Sequence, residues 1–431
     1  INMNPVDSQG NIIPIDAIFI STHKFVAGPA TPGLLVMKEK LIRNRVPSLP
    51  GGGTVFYVTE GHHRYLMDNE AREEGGTPDI VGAIRAGLCF QLKDQVGVEE
   101  IMARESEINR KVLERWGKCD DIVILGAKKE DKIPIYSFLI RFGKGMFLHP
   151  NYVSTVMNDL FGIESRAGCV CAGPYSQKLL GMSEEMIQIF EEILLEGDEL
   201  MRPGFTRLNF NYFFDEELAN YVISAVEFLA KHGWKFLPFY KYIPETGQWT
   251  HRRYENQTDR NELKKWLSEI SYKTGEMKYK KFTLYSEQTE KPDLKSYLDE
   301  AEKMVDSLLK QYAPLYGRST VDQTQLFSEK FLKHRWFILP SEAYEILKVT
   351  DNGKVLNQIL SDYVKQEPVF DPVAFQQELD ENFPEESTAD TFKEGENDKE
   401  NEDEEEEDED QPLAFDFDEE ELGTKEENDA A

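Results

Sequence analysis

The sequence predicts an α/β fold. Short β-branched apolar runs alternate with amphipathic helical stretches from about Ile13 to Leu237. Hydrophobic residues make up 40% of the 431-residue chain and aromatics 11%, enough for a large buried core. The formal charge of −31 is concentrated at one end: Gln376–Ala431 holds 27 acidic and 3 basic residues, a net of −24, which leaves −7 for the remainder. An ordinary body carrying an acidic tail is the expected organisation.

The elements follow in order. Ile13–Ser21 reads as a buried strand that delivers Lys24 at its carboxyl end, and Gly33–Lys38 reads as the next strand. The triple glycine Gly51–Gly53 reads as a flexible connector. Thr77–Gly97 is expected to be helical, with Thr77 as its cap and Pro78 in its first turn. A second helix is expected over Val98–Trp116. Two strands, within Asp120–Ala127 and Ile133–Phe142, precede a helix ended by Gly162. Thr206–Phe213 reads as a strand. Asp215 caps a helix whose apolar face is Leu218, Val222, Ala225, Val226 and Leu229, with Gly233 as its stop. Beyond Leu237 the polar stretch Tyr242–Lys291 reads as a connector. An amphipathic helix follows, through Leu294, Leu298, Ala301, Val305 and Leu308, and the apolar cluster His334–Leu347 is expected to dock on the body. From Asp371 the chain is too polar to offset its ordering entropy and is expected to be disordered.

Composition narrows the function classes. No basic patch suggests nucleic acid, and no apolar run has membrane-spanning length. Four cysteines, Cys89, Cys119, Cys169 and Cys171, are too sparse for a secreted disulfide framework, so a reducing, cytoplasmic compartment is expected. The chain opens on Ile1, which predicts an upstream start and leaves an organellar address open. The seven histidines show no metal-ligand spacing with the cysteines.

The segment Ser21-Thr22-His23-Lys24 carries the chemistry. A lysine amine can condense with a carbonyl cofactor. Ser21 and His23 can donate to a phosphate, and Gly28 and Gly33 would supply torsions closed to other residues. Gly75–Pro78 offers backbone N–H groups and the Thr77 hydroxyl to the same kind of anion. Arg207 has the fork that binds a carboxylate in two parallel hydrogen bonds, and Cys171 sits in a Gly- and Pro-containing loop as a candidate nucleophile.

These segments together resemble the class V aminotransferase family of pyridoxal-phosphate enzymes, and most closely its group II cysteine desulfurases and selenocysteine lyases. The matching pieces are Ser21-Thr22-His23-Lys24 with Gly28-Pro29 and Pro32-Gly33, then Gly76-Thr77-Pro78, then Arg166, Gly168, Cys171, Ala172 and Pro174, then Arg207. The resemblance implies a fold type I architecture. Residues 1–97 would be the carboxyl-terminal part of a cofactor-binding large domain, lacking its first half, and 98–240 a small α/β domain. A partly helical extension over 241–370 and a disordered acidic tail over 371–431 would complete the chain. It implies pyridoxal 5′-phosphate bound by Ser21, His23, Lys24 and, across a homodimer, Thr77. It implies an amino-acid substrate held by Arg207, and sulfur removal from L-cysteine through a persulfide on Cys171, passed to an acceptor protein. Family members often carry His-His where this chain has Cys169-Val170. Two other readings stand beside this one: a class V transaminase, lyase or epimerase acting on another amino acid, and an inactive homologue that serves as an interaction protein.

Overall fold

The computed structural model describes residues 2–7, 9–128, 132–143, 145–168, 172–255, 269–278, 293–316, 327–351, 369–373 and 375. All belong to one compact unit, Ile1–Pro384. A second unit, Glu385–Ala431, lies outside the described residues, and with it most of the expected acidic tail.

The core is built on an antiparallel sheet. Its strands are β5 (Ile122–Leu125), β6 (Ile135–Phe142), β9 (Phe205–Asn209) and β8 (Arg166–Gly168), paired in that order, with β7 (Met146–Phe147) also on β6. Strand β9 ends at Asn209, short of the expected Phe213. Tyr136, Phe138, Ile140 and Phe142 of β6 form one buried apolar face; the opposite face mixes buried Leu139 with half-buried Ser137 and Arg141.

Helices α3 (Val98–Trp116), α4 (Pro150–Phe161) and α7 (Glu216–Phe236) cover the sheet. Trp116 is fully buried; its ring lies 5.4 Å from Tyr136 and 5.3 Å from Phe138, and its indole N–H donates to Ile223 O at 3.3 Å. Arg115 of α3 donates to Glu227 of α7 at 2.9 Å. Helix α4 ends at Gly162 in the left-handed region (φ 63°), as the sequence predicts. Asp215 caps α7 by accepting from Leu218 N at 2.8 Å.

Gly233 does not stop α7. The helix runs on to Phe236, and Gly233 is an interior residue where the helix meets α4 and the Leu148 side chain. A Cβ at 233 would lie 3.1 Å from Leu148 Cδ1, and the Gly233 carbonyl accepts from Tyr152 O–H at 2.7 Å. The glycine is there for space.

The stretch after Leu237 is also more ordered than its polarity suggests. Strands β10 (Tyr240–Ile243) and β11 (Gln248–His251) form a hairpin, with Trp249 buried beneath it. Helix α8 (Leu294–Tyr316) packs on α4 and α7 through buried Ala301 and Leu308. Two further helices follow, α9 (Glu329–His334) and α10 (Pro340–Asp351). Between them Trp336, Phe337, Ile338 and Leu339 are buried, and Phe337 bridges in parallel to Phe147 of β7. The docking expected of His334–Leu347 is thus observed. Asp371–Val373 and Phe375 also lie against the body, so ordered chain extends past the expected boundary at Asp371.

The first hundred residues are organised differently. Among the described residues, strand β1 (Ala17–Ile20) pairs only with β2 (Leu34–Met37), and β3 (Val55–Val58) only with β4 (His63–Tyr65). Strand β1 is thus shorter than the apolar run Ile13–Ser21. A short helix α1 (Asn69–Glu73) leads to α2 (Ile80–Val96). The main hydrophobic cluster begins at Ile108 and includes none of these elements.

Candidate active site

Lys24 is the last residue of a 3-10 turn, Thr22–Lys24, just beyond β1. The turn closes through Lys24 N to Ser21 O at 3.0 Å and Phe25 N to Thr22 O at 3.0 Å. Ser21, His23 and Lys24 are all exposed, and only Thr22 points inward. The Thr22 hydroxyl donates to Pro32 O, and the Thr31 hydroxyl lies 3.1 Å from it. Thr22 is the site residue missed from the sequence, where it fills an unspecified position. It anchors the turn and leaves its three neighbours facing outward.

Gly28 is required for a different reason from the one expected. A Cβ there would lie 2.1 Å from the Thr22 carbonyl oxygen and 2.9 Å from that of Phe25. The requirement is close backbone approach rather than a special torsion. The left-handed torsions fall instead on Ala27 (φ 64°) and Ala30 (φ 62°), which flank Gly28-Pro29. Left-handed torsions at non-glycine residues are uncommon and are sustained by surrounding contacts. Here α2 supplies them: Arg85 donates to Pro29 O at 2.8 Å, and the Phe90 ring meets Phe25 edge-on at 5.1 Å. A Cβ at Gly33 would make only an ordinary contact, so this position carries no such requirement.

Thr77 is exposed and does not cap α2. Asp79 does, accepting from Gly82 N at 2.9 Å, and the helix begins at Ile80. A carboxylate accepts this N–H more strongly than a hydroxyl and sits one residue before the first turn. The triple glycine is likewise more than a connector. Gly76 N donates to Gly52 O at 2.8 Å, and a Cβ on Gly75 would lie 2.8 Å from Leu49 O. Two glycine turns thus press backbone to backbone and hold Thr77 in place ahead of α2.

Arg207 lies at the centre of β9. Ser137 of β6 and Arg166 of β8 are its cross-strand partners, so all three share one face of the sheet. Arg207 is half-buried, and its Nε is fully buried with no acceptor among the described residues. Two arginines set opposite each other, one with an orphaned donor, suit an anionic ligand. Strand β8 ends at Gly168 (φ 105°), and a Cβ on Gly204 would come within 2.7 Å of its backbone. Cys169 and Cys171 lie outside the described residues, between this strand and α5 (Gly173–Leu179). Of the other cysteines, Cys89 is buried in α2, and burial pushes the Cys119 thiol up.

The donor set fits a phosphorylated aldehyde. The Lys24 amine, the Ser21 hydroxyl and the His23 imidazole share one exposed turn that a buried threonine and a side-chain-free Gly28 hold in shape. The hydrogen bonds of this turn end on itself, on the loop that follows and on α2. Arg207 belongs to the separate sheet.

Residues 4–209 match the family model described as aminotransferase class V, a span that holds Lys24, Thr77, Arg166, Cys171 and Arg207. A probable cysteine desulfurase of Halalkalibacterium halodurans is 32% identical over 164 residues, 37% of this chain and 37% of that protein. A cysteine desulfurase of Haloferax volcanii is 29% identical over 175 residues, 41% of this chain and 39% of that protein. The chain therefore spans well under half the length of these curated relatives. Among solved structures, the apo cysteine desulfurase of Thermococcus onnurineus NA1 aligns with 50% of this chain and 47% of its own, at 23% identity and a TM-score of 0.40.

Proposed function

We propose, from the match of residues 4–209 to the class V aminotransferase family model, that this chain contributes to a pyridoxal-phosphate enzyme of the cysteine desulfurase type. The observation that carries the reading is the lysine turn: Lys24 presented with Ser21 and His23 on a loop that tolerates no side chain at Gly28. Lys24 would hold the cofactor through its Nζ, with Ser21, His23 and Thr77 as donors to the phosphate. Bound there, pyridoxal phosphate supplies an electron-withdrawing ring that stabilises negative charge at the substrate carbon.

The chain's own residues account for the remaining work. Arg207, whose Nε has no acceptor among the described residues, takes the substrate carboxylate and orients the amino acid. The Lys24 Nζ would move a proton on and off the substrate carbon. The Cys171 thiolate attacks the sulfur of L-cysteine: a sulfur–sulfur bond forms, the carbon–sulfur bond breaks, and protonation of the carbon leaves alanine. The outer sulfur then passes to an acceptor thiol, with Cys169 as the neighbouring candidate. The functional unit is a homodimer in which Thr77 serves the partner's site, in a reducing compartment.

The test has two layers. Borohydride reduction in the presence of pyridoxal phosphate should fix a pyridoxyl group on Lys24, read by peptide mass spectrometry. Sulfide and alanine release from L-cysteine should vanish in Cys171→Ala while that label persists. No label on Lys24 removes the cofactor reading; label without sulfur release in the unaltered protein leaves a class V enzyme with another substrate.

A further inference from the structure

Strand β5 is an edge strand of the main sheet. Among the described residues it pairs with β6 alone, yet all four of its residues, Ile122–Leu125, are buried. The backbone shows which groups this edge leaves over. Arg141 N donates to Asp121 O at 2.8 Å, so in the alternating antiparallel pattern Val123 and Leu125 also turn their backbone groups toward β6. Ile122 and Ile124 turn theirs away from it. Ile122 N donates to Cys119 O at 3.0 Å; the Ile122 carbonyl and both backbone groups of Ile124 have no partner among the described residues. Buried backbone groups are nearly always paired, and an open strand edge pairs most readily with another strand.

The neighbouring stretch of chain does not complete the edge. Val369–Val373 returns to the body here, anchored by Phe370, which is 3% exposed and stacks on Phe147 at 5.8 Å. Pro372 has no N–H to give, and Val373 N donates to the Asp371 carboxylate at 3.0 Å. Pro372 and Val373 instead line a cleft of about 370 Å³ together with Ile122, Val123, Ile124 and Leu113. That volume lies within the range of sites for small ligands and short peptide stretches.

The same cleft is lined by two cations, Arg141 and Lys128. Arg141 Nε is buried with no acceptor among the described residues. Asp121, beside it on β5, does not balance it: burial and the charge of Asp120 push the Asp121 carboxyl up, against the pull of Arg141. A half-buried guanidinium with an orphaned donor suits a carboxylate brought from outside.

We propose that the β5 edge is a docking site for an extended segment of a partner protein, β-branched in character and carrying one glutamate. Backbone N–H groups of that segment donate to the Ile122 and Ile124 carbonyls, and Ile124 N–H donates to one of its carbonyls. Its glutamate accepts from Arg141, and its apolar side chains lie against Leu113 and Val373. Asp120, exposed and lining the same cleft, repels a second carboxylate, so one acidic residue fits and an acidic run does not. The site includes neither the lysine turn nor Arg207, so its fate is independent of the pyridoxal-phosphate reading.

The probe is the blocked hexapeptide TVEVTV, added to the full chain. At saturation it should slow amide exchange at Ile124 and iodoacetamide alkylation of Cys119, which lines the cleft, by roughly threefold or more. Alkylation of Cys89, in α2, should stay unchanged. The same peptide with N-methyl groups on its edge-facing amides keeps every side chain and should protect neither position. Arg141→Gln should weaken TVEVTV roughly tenfold and leave the lysine analogue TVKVTV no weaker than before. Absence of protection at Ile124 overturns the proposal, because the edge is then already closed or stays hydrated. Equal protection by the N-methylated peptide overturns it, because the cleft then takes apolar matter without strand pairing. Equal binding of TVEVTV to Arg141→Gln overturns the choice of an acidic segment, and slowing of Cys89 along with Cys119 marks non-specific association and overturns it as well.

Discussion

Helices α2 and α7 are similarly apolar, yet they sit in opposite surroundings. On α7 the residues Val222, Ile223, Ala225, Val226, Phe228 and Leu229 are all buried between α3, α4, α8 and the sheet. On α2 one side, through Ala86, Cys89 and Phe90, packs on the lysine loop and its surroundings, while Ile80, Val81, Ile84 and Leu88 form an exposed stripe. A helix apolar all round belongs inside a protein. The hairpins beside it tell the same story: Phe19 and Leu35 are cross-strand partners, and both are exposed. Two-stranded hairpins are marginal by themselves. The region up to about Met102 therefore presents its lysine on elements with little shared core, whereas the region from Ile108 onward presents Arg207 on a sheet whose other face is packed into the main core. The same vocabulary of strands and helices yields a firm site in one region and a weakly supported one in the other.

The largest expected effect is a direct contrast between the two regions. Trp116→Ala should cost about 3–5 kcal/mol in denaturant unfolding, and Phe19→Ala, at a residue 82% exposed, should stay within about 0.5 kcal/mol. A large loss from Phe19→Ala would show that the exposed face is covered in solution and would dissolve the contrast.

Acid should act on the second region. Burial lowers the pKa of His149 from 6.5 to about 4, against a weaker opposing hydrogen bond to Leu200 O. The neutral ring is thus favoured by folding. Its contribution is intact above pH 6.5 and is lost as pH falls toward 4, by roughly 3 kcal/mol in all. The ring lies 5.5 Å from Trp336 and 5.7 Å from Trp249, so tryptophan fluorescence reports the change. His149→Gln should flatten this part of the stability–pH curve.

Gly28→Ala sharpens the comparison from the other side. The added methyl must displace the Thr22 carbonyl, at about 1–3 kcal/mol of strain, which a weakly supported loop relieves by moving. Pyridoxyl labelling of Lys24 should fall several-fold while the midpoint of core unfolding holds. The smallest effects are at the caps: Asp215→Ala should cost about 1 kcal/mol of global stability. Asp79→Ala should act only locally, as faster amide exchange in the first turn of α2.

Much of this protein is legible in its residues because the signals are local. Periodicity places α3 at its observed ends, Gly162 closes α4, and Asp215 opens α7, since each is decided within a turn or two of chain. The order of Ser21, His23, Lys24, Thr77, Arg166, Cys171 and Arg207 is enough to show the resemblance to class V aminotransferases, whose family model matches residues 4–209. The β10–β11 hairpin could have been read from Pro244–Gly247, a four-residue loop containing glycine, had the surrounding charge not suggested a connector.

What only the tertiary structure decided concerns residues whose role depends on distant partners. Gly233 looks like a stop until Leu148 and Tyr152 occupy the space beside it. Thr22 is an unmarked letter until Pro32 folds back to accept its hydroxyl proton. Arg166 and Arg207 are 41 positions apart in sequence and become neighbours only through strand register. Phe370 and Asp371 sit at the edge of an acidic sequence and find an aromatic seat and a glycine. Helix ends are set by hydrogen bonds three or four residues long, so the chain encodes them directly. Close approach, register and docking are set by contacts across the fold, and no window of sequence contains both sides of such a contact.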